Sequence, residues 1–187
     1  MKSMRLKEKY QKEIVPALKE KFAFKNTMLV PRLSKVVINA GCGRHAKDKE
    51  YLAAITDGLL KMSGQRPVFT LAKKSISAFK IREGMTVGAK VTLRGPRMYD
   101  FVEKLVNITF PRVRDFRGLN DKAIDKSGNM TLGFKDQSAF PEISIEDLDN
   151  SFGLEICFDT TASSREEGLE LFRLIGFPFI KENKKSK

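Results

Sequence analysis

Residues 64–95 read GQRPVFTLAKKSISAFKIREGMTVGAKVTLRG. The stretch holds seven basic side chains (Arg66, Lys73, Lys74, Lys80, Arg82, Lys90 and Arg94) against a single acid, Glu83, half of the chain's formal +12. Its charges are interleaved with strand-forming residues. From Ala89 the apolar side chains Ala89, Val91 and Leu93 alternate with Lys90, Thr92 and Arg94, the period of a half-buried strand. PVFTLA, residues 67–72, predicts a second strand, and residues 73–88 between them predict a long basic loop. A disordered basic tail would lack this apolar alternation. The run therefore reads as a folded surface that attracts a polyanion.

Upstream of it, SKVVINA at residues 34–40 predicts another strand, with Val36, Ile38 and Ala40 on one face and Lys35, Val37 and Asn39 on the other. Asp48 is a candidate N-cap for a helix carrying Tyr51, Leu52, Ile55, Leu59 and Met62 up to Gly64. Pro96 opens a helix with the stripe Met98, Phe101, Val102, Leu105. Residues 109–129 read as loop. Met130, Leu132 and Phe134, then Leu154, Ile156 and Phe158, alternate as two further strands. Ser164 and Glu167 form a capping-box pattern for a last helix with Leu169, Phe172 and Ile175. At the other end Leu6, Tyr10, Ile14, Leu18 and Phe22 form one helical stripe, and Pro16 inside it predicts a kink or two short helices.

Strands with one apolar and one polar face imply a sheet covered on one side. The fold class is α+β: a single domain over residues 1–180, an antiparallel-rich sheet with helices packed on one face and an open basic face, followed by a disordered basic tail at 181–187. The open face would show Lys35, Asn39, Lys90, Thr92 and Arg94 with few carboxylates, a set suited to phosphates and 2′-hydroxyls. If about five phosphates are neutralised, log affinity falls with log salt at a slope of roughly −3.5 to −4.5.

The bulk numbers narrow the class. The chain has 187 residues, 41% of them apolar, which suffices for one core. No run approaches the ~18 apolar residues of a membrane span, and the N-terminus lacks a signal-peptide core, so the expected compartment is the cytosol and no membrane is a partner. Residues 1–132 carry a net +16 and residues 133–187 a net −4. That asymmetry suggests one face for a polyanion and another for solvent or a basic partner.

Enzyme chemistry finds little support. GCGRHA, residues 41–46, matches a dinucleotide-loop pattern, but the acid needed about 20 residues on is absent, since position 61 is lysine. His45 is the only histidine, and no acid is placed to orient it beside Cys42. Cys42 and Cys157 lack a CxxC and read as reduced thiols rather than a metal site. Glu146, Asp147 and Asp149 read as a solvated acidic loop rather than a metal-nuclease cluster. No cofactor, metal or catalytic residue is expected. Most of the 14 phenylalanines fall on core stripes. Phe79 and Phe116, each flanked by basic residues, either stack on a base or anchor a loop.

VINAGCG (37–43), the 64–95 run, MYDFVEKL (98–105), PRVRDFRG (111–118) and TLGFKDQSAFPEI (131–143) occur in one order with one spacing. With KEKY and VPAL in the first helix and GFPF near the end, the chain resembles the bacterial family of large-subunit ribosomal protein number five (uL5). The resemblance implies a non-enzymatic protein that binds 5S ribosomal RNA and helps attach it to the central protuberance. It implies neighbours in 23S ribosomal RNA, other large-subunit proteins, the P-site transfer RNA and a small-subunit protein across an intersubunit bridge. By motif, Asn39, Gln65 and Thr92 correspond to the polar centre of the RNA contact, with Lys35, Arg66, Lys90 and Arg94 as phosphate contacts. The loop with Lys73, Lys74, Ser75, Phe79, Lys80 and Arg82 resembles the one reaching transfer RNA, and residues 111–142 resemble the side facing the small subunit.

Overall fold

A computed structural model describes residues 5–45, 48–144 and 151–180, with Arg44 by its backbone only. The expected tail and the acids Glu146, Asp147 and Asp149 lie outside the described residues.

The alternating segments become five strands: β1 (Leu33–Gly41), β2 (Val68–Leu71), β3 (Thr86–Leu93), β4 (Met130–Phe134) and β5 (Leu154–Thr160). They form one sheet in the order β2-β3-β1-β5-β4, every neighbour antiparallel. The residues expected on the apolar face are buried: Val36, Ile38 and Ala40; Ala89, Val91 and Leu93; Leu154, Ile156 and Phe158. Burying such a side chain stabilises the fold by about 1.5–3 kcal/mol for the larger ones. Because pleating sends alternate side chains to opposite faces, the same burial turns Asn39, Lys90 and Thr92 outward.

Among the described residues, four helices supply the other half of the core. The helix α2 (Lys49–Ser63) begins on Asp48, whose carboxylate accepts from the backbone N–H groups of Glu50 and Tyr51 at 3.0 and 3.2 Å. It buries Ile55, Leu59 and Met62. The helix α4 (Arg165–Ile175) begins on Ser164, which accepts from the Glu167 N–H, while Glu167 reaches one residue further back, to the Ser163 N–H. The expected capping box is thus met on one side and displaced by a residue on the other. Phe158, Phe172 and Phe177 meet edge-on with centroids 5.3–6.0 Å apart, an aromatic cluster of the kind worth roughly 0.5–1.5 kcal/mol per pair beyond burial. This cluster ties α4 to β5.

Both remaining helices pass a proline in the same way. The first, α1, runs Leu6–Lys9, widens to a π turn over Tyr10–Ile14 and continues Val15–Phe22, so the irregularity expected at Pro16 takes the form of a wide turn just before it and the chain stays helical through the proline. The helix α3 runs Gly95–Lys104, widens over Leu105–Thr109 and continues Phe110–Arg112. Residues 109–112, expected in a loop, are therefore helical. In each case the residue before proline reaches back five positions, Val15 N–H to Tyr10 O and Phe110 N–H to Leu105 O. The wide turn removes the clash that Pro16 and Pro111 would impose on an α turn, so the helix passes through.

Candidate RNA interface

Of the expected binding residues, Lys35, Asn39, Lys90 and Thr92 fall on the uncovered sheet face, and the register fixes their arrangement. Asn39 on β1 pairs across from Lys90 on β3, which pairs in turn with Val68 on β2. Thr92 lies one step along that face, opposite Val37; Gly88 lies one step the other way, opposite Thr70. Asn39, Thr70 and Thr92 are half-buried and Lys90 is exposed. None of the three polar side chains has a hydrogen-bond partner within the protein among the described residues. Neither β2 nor β3 contains a carboxylate.

Gln65 joins this group from outside the sheet. It follows α2, and its Nε2 donates to the Thr92 carbonyl at 3.3 Å. Ser63 prepares it: the Ser63 hydroxyl accepts from the Gln65 N–H at 3.2 Å and donates to the Leu59 carbonyl at 2.6 Å. The carboxamide of Gln65 is thus pinned beside the end of β3, with its oxygen left to a partner.

Three of the expected cations sit differently from one another. Arg94 follows β3 directly as the exposed N-cap of α3. Arg66 turns to the edge of the sheet, where it lines a cleft with Leu52, Leu60 and Phe69 against α2. Lys35 lies at the far end of β1, about 13 Å from Asn39 by strand rise, and its ammonium is 3.6 Å from the Asp159 carboxylate on β5. Lys35 is therefore already partnered. The expectation of few carboxylates on this face fails at β5 alone among the five strands, which presents Glu155 opposite Asn39 and Asp159 opposite Lys35. The face is split, basic and polar towards β2, acidic towards β5. Periodicity showed which side chains point outward but not which strand pairs with β1, so the boundary carboxylates were invisible to it.

The basic loop is shorter and more ordered than expected. β3 begins at Thr86, so the connection runs from residue 72 to residue 85. Ile76 and Ile81 exchange backbone hydrogen bonds at 2.9 and 3.1 Å, closing a small hairpin whose tip is a 3-10 turn, Ser77–Phe79. Lys80 takes a left-handed conformation (φ 54°) to complete it. Ser75 is a latch, its hydroxyl accepting from the Glu83 N–H at 2.9 Å. Phe79 is 71% exposed at the tip, with Lys73, Lys74, Lys80 and Arg82 also exposed around it. Phe116, by contrast, stacks on buried Phe110 at 5.2 Å. Of the two phenylalanines, Phe116 anchors its loop and Phe79 does not.

The described part of the GCGRHA segment, residues 41–45, lacks dinucleotide geometry. β1 is antiparallel to both neighbours, whereas a dinucleotide loop joins parallel strands through a helix. Cys42 is 1% exposed, and burial pushes its thiol above the ordinary value, the wrong direction for a nucleophile. The His45 ring packs on Tyr51 at 4.5 Å.

A family profile described as ribosomal protein L5 matches residues 26–82, and a second, described as the C-terminus of that ribosomal family, matches residues 86–179. The division falls in the basic connection between β2 and β3, although the sheet interleaves the two parts. The chain is 52% identical over 177 residues to the large ribosomal subunit protein uL5 of Desulforamulus reducens, covering 95% of this chain and 98% of that protein. It is 52% identical over 178 residues to the same protein of Heliobacterium modesticaldum (95% and 99% covered). With that of Clostridium kluyveri it shares 50% over 180 residues (96% and 99%). Family profiles over residues 26–82 and 86–179 and near full-length likeness at 50–52% identity lead to one conclusion: the chain belongs to the ribosomal protein L5 (uL5) family of the large ribosomal subunit, and is a structural protein rather than an enzyme.

Proposed function

We propose that this protein binds 5S ribosomal RNA through the β2–β3–β1 half of its open face and holds it at the central protuberance. The observation that carries the reading is the coincidence of orphan hydrogen-bonding groups with uncompensated charge. Asn39, Thr70 and Thr92 have no partner among the described residues, Lys90 stands among them, and the nearest carboxylate on the face, Glu155, lies across β1. Lys90 and Arg94, with Arg66 at the edge, neutralise phosphates; Asn39, Gln65 and Thr92 read shape. The hairpin with Phe79 at its tip reaches the P-site transfer RNA, where an exposed ring can stack on a base. Residues 111–142 face the small subunit; they border a cleft of about 440 Å³ lined by Phe116, Leu119 and Phe134 and rimmed by Arg114, Lys135 and Asp136. Contacts to 23S ribosomal RNA and neighbouring large-subunit proteins complete the setting.

Nuclease protection of purified 5S RNA by the chain tests this. Wild type should protect one region, and Asn39→Ala or Thr92→Ala should weaken binding by about 1–3 kcal/mol each, since each strands a buried partner on the RNA. Equal weakening on unrelated duplex RNA, or no protection, would remove the assigned specificity.

A further inference from the structure

Gly88 shows how two of the orphan groups are brought together. It is buried on β3 between Thr70 and Gly41. A Cβ at this position would lie 2.9 Å from the Thr70 hydroxyl, 3.1 Å from the Ala40 carbonyl and 3.7 Å from the Asn39 Oδ1. With no Cβ there, the Thr70 and Asn39 side chains close over the glycine from opposite sides. Their two oxygens lie at most about 6.6 Å apart, the limit set by those two distances. Two hydrogen bonds of about 2.8 Å meeting on one oxygen span about 4.6 Å at a tetrahedral angle, within that limit.

We infer that Thr70 and Asn39, drawn together over Gly88, form a subsite for a ribose 2′-hydroxyl, with Thr70 a specificity-determining residue of the RNA face. The inference rests on the proposed RNA-binding reading and deepens it. The donor and acceptor inventory selects the group. Asn39 Oδ1 is an acceptor and demands a donor, while the Thr70 hydroxyl can donate. A phosphate oxygen offers only acceptors and is refused by Oδ1. A 2′-hydroxyl donates to Asn39 Oδ1 and accepts from Thr70, satisfying both. Lys90, directly opposite Asn39, is placed for the phosphate of the same backbone. Glu155, on the other side of Asn39, keeps that phosphate on the β3 side. Such a subsite separates RNA from DNA at one nucleotide.

The test is a cycle between protein and sugar. Full-length wild type, Thr70→Val and Thr70→Ser are titrated with 5S transcripts carrying sparse 2′-deoxy substitutions. Valine suits an edge strand, so Thr70→Val keeps the sheet, and circular dichroism verifies this; Gly88→Ala is secondary because its Cβ also crowds the Ala40 backbone. For wild type, one deoxy position should weaken binding roughly 3- to 10-fold. Thr70→Val should show the same loss on the unmodified transcript and little further loss at that position, while Thr70→Ser retains affinity. If wild type binds 5S RNA but Thr70→Val binds equally well, or its loss adds fully to that of every deoxy substitution, the subsite is refuted and the broader reading stands. If wild type shows no preference for 5S RNA, both fall.

Discussion

Salt dependence separates the cations that the sheet leaves available from those it has already paired. Replacing Lys90 by alanine removes an exposed ammonium on the polar half-face that makes no ion pair among the described residues. Replacing Lys35 removes one held 3.6 Å from Asp159. Three cations border the half-face: Lys90, Arg94 and Arg66. At about 0.7–0.9 per neutralised phosphate the log–log slope should be roughly −2.1 to −2.7, shallower than the five phosphates suggested by counting charge along the sequence. Raising salt from about 50 to about 200 mM then weakens binding roughly 20- to 40-fold. Were Lys35 a fourth contact, the loss would be roughly 50- to 150-fold. Filter binding of 5S RNA across that range measures the slope. Lys90→Ala should flatten it by about 0.7–0.9, and Lys35→Ala should leave it nearly unchanged. A flattened slope in Lys35→Ala, or an unchanged one in Lys90→Ala, would refute the assignment of free and paired charge.

Three further outcomes follow from the geometry. Phe79→Ala should leave thermal stability and 5S affinity unchanged, because the ring is 71% exposed, but should reduce crosslinking of the hairpin to P-site transfer RNA; retained crosslinking would remove its stacking role. Gly168→Ala should destabilise the fold by about 1–3 kcal/mol in urea titration, since a Cβ there would lie 2.5 Å from the Gly128 Cα; a smaller change would mean the α4–β4 junction yields. The Tyr10 phenol donates to the Pro31 carbonyl, and burial, reinforced by Tyr99, pushes it up to about 12. A folded pKa raised above the unfolded value of 10.0 stabilises fully below pH 10 and is lost as pH rises towards about 12. Tyrosinate absorbance should show this late step, and Tyr10→Phe should reduce its amplitude by one tyrosine without removing the part due to Tyr99, which burial also raises; a Tyr10 that titrates near 10 would contradict the packing.

Much of the fold was legible because burial imposes a period. Alternation in AKVTLRG and SKVVINA assigned Val36, Ile38, Val91 and Leu93 inward and Asn39, Lys90 and Thr92 outward, and all of them lie that way. Asp48 was legible as an N-cap because capping is a local hydrogen bond. Pro111 misled because its cost depends on backbone geometry that can widen by one residue. β3 starts three residues before the apparent strand because Thr86 and Val87 pair with neighbours that no local pattern names.

Side-chain chemistry and spacing suffice for the elements, the buried face and the excess of positive charge, since each depends on residues close along the chain. Which outward residues meet is a matter of strand order. That order set β5 beside β1, and so placed Asp159 on Lys35 and Glu155 beside Asn39. It also set β2 beside β3, laying Thr70 over Gly88 towards Asn39. The physical reason is that charge pairing and hydrogen bonding act over a few ångströms of space, and pairing between strands brings to that range residues whose separation along the chain carries no trace of it.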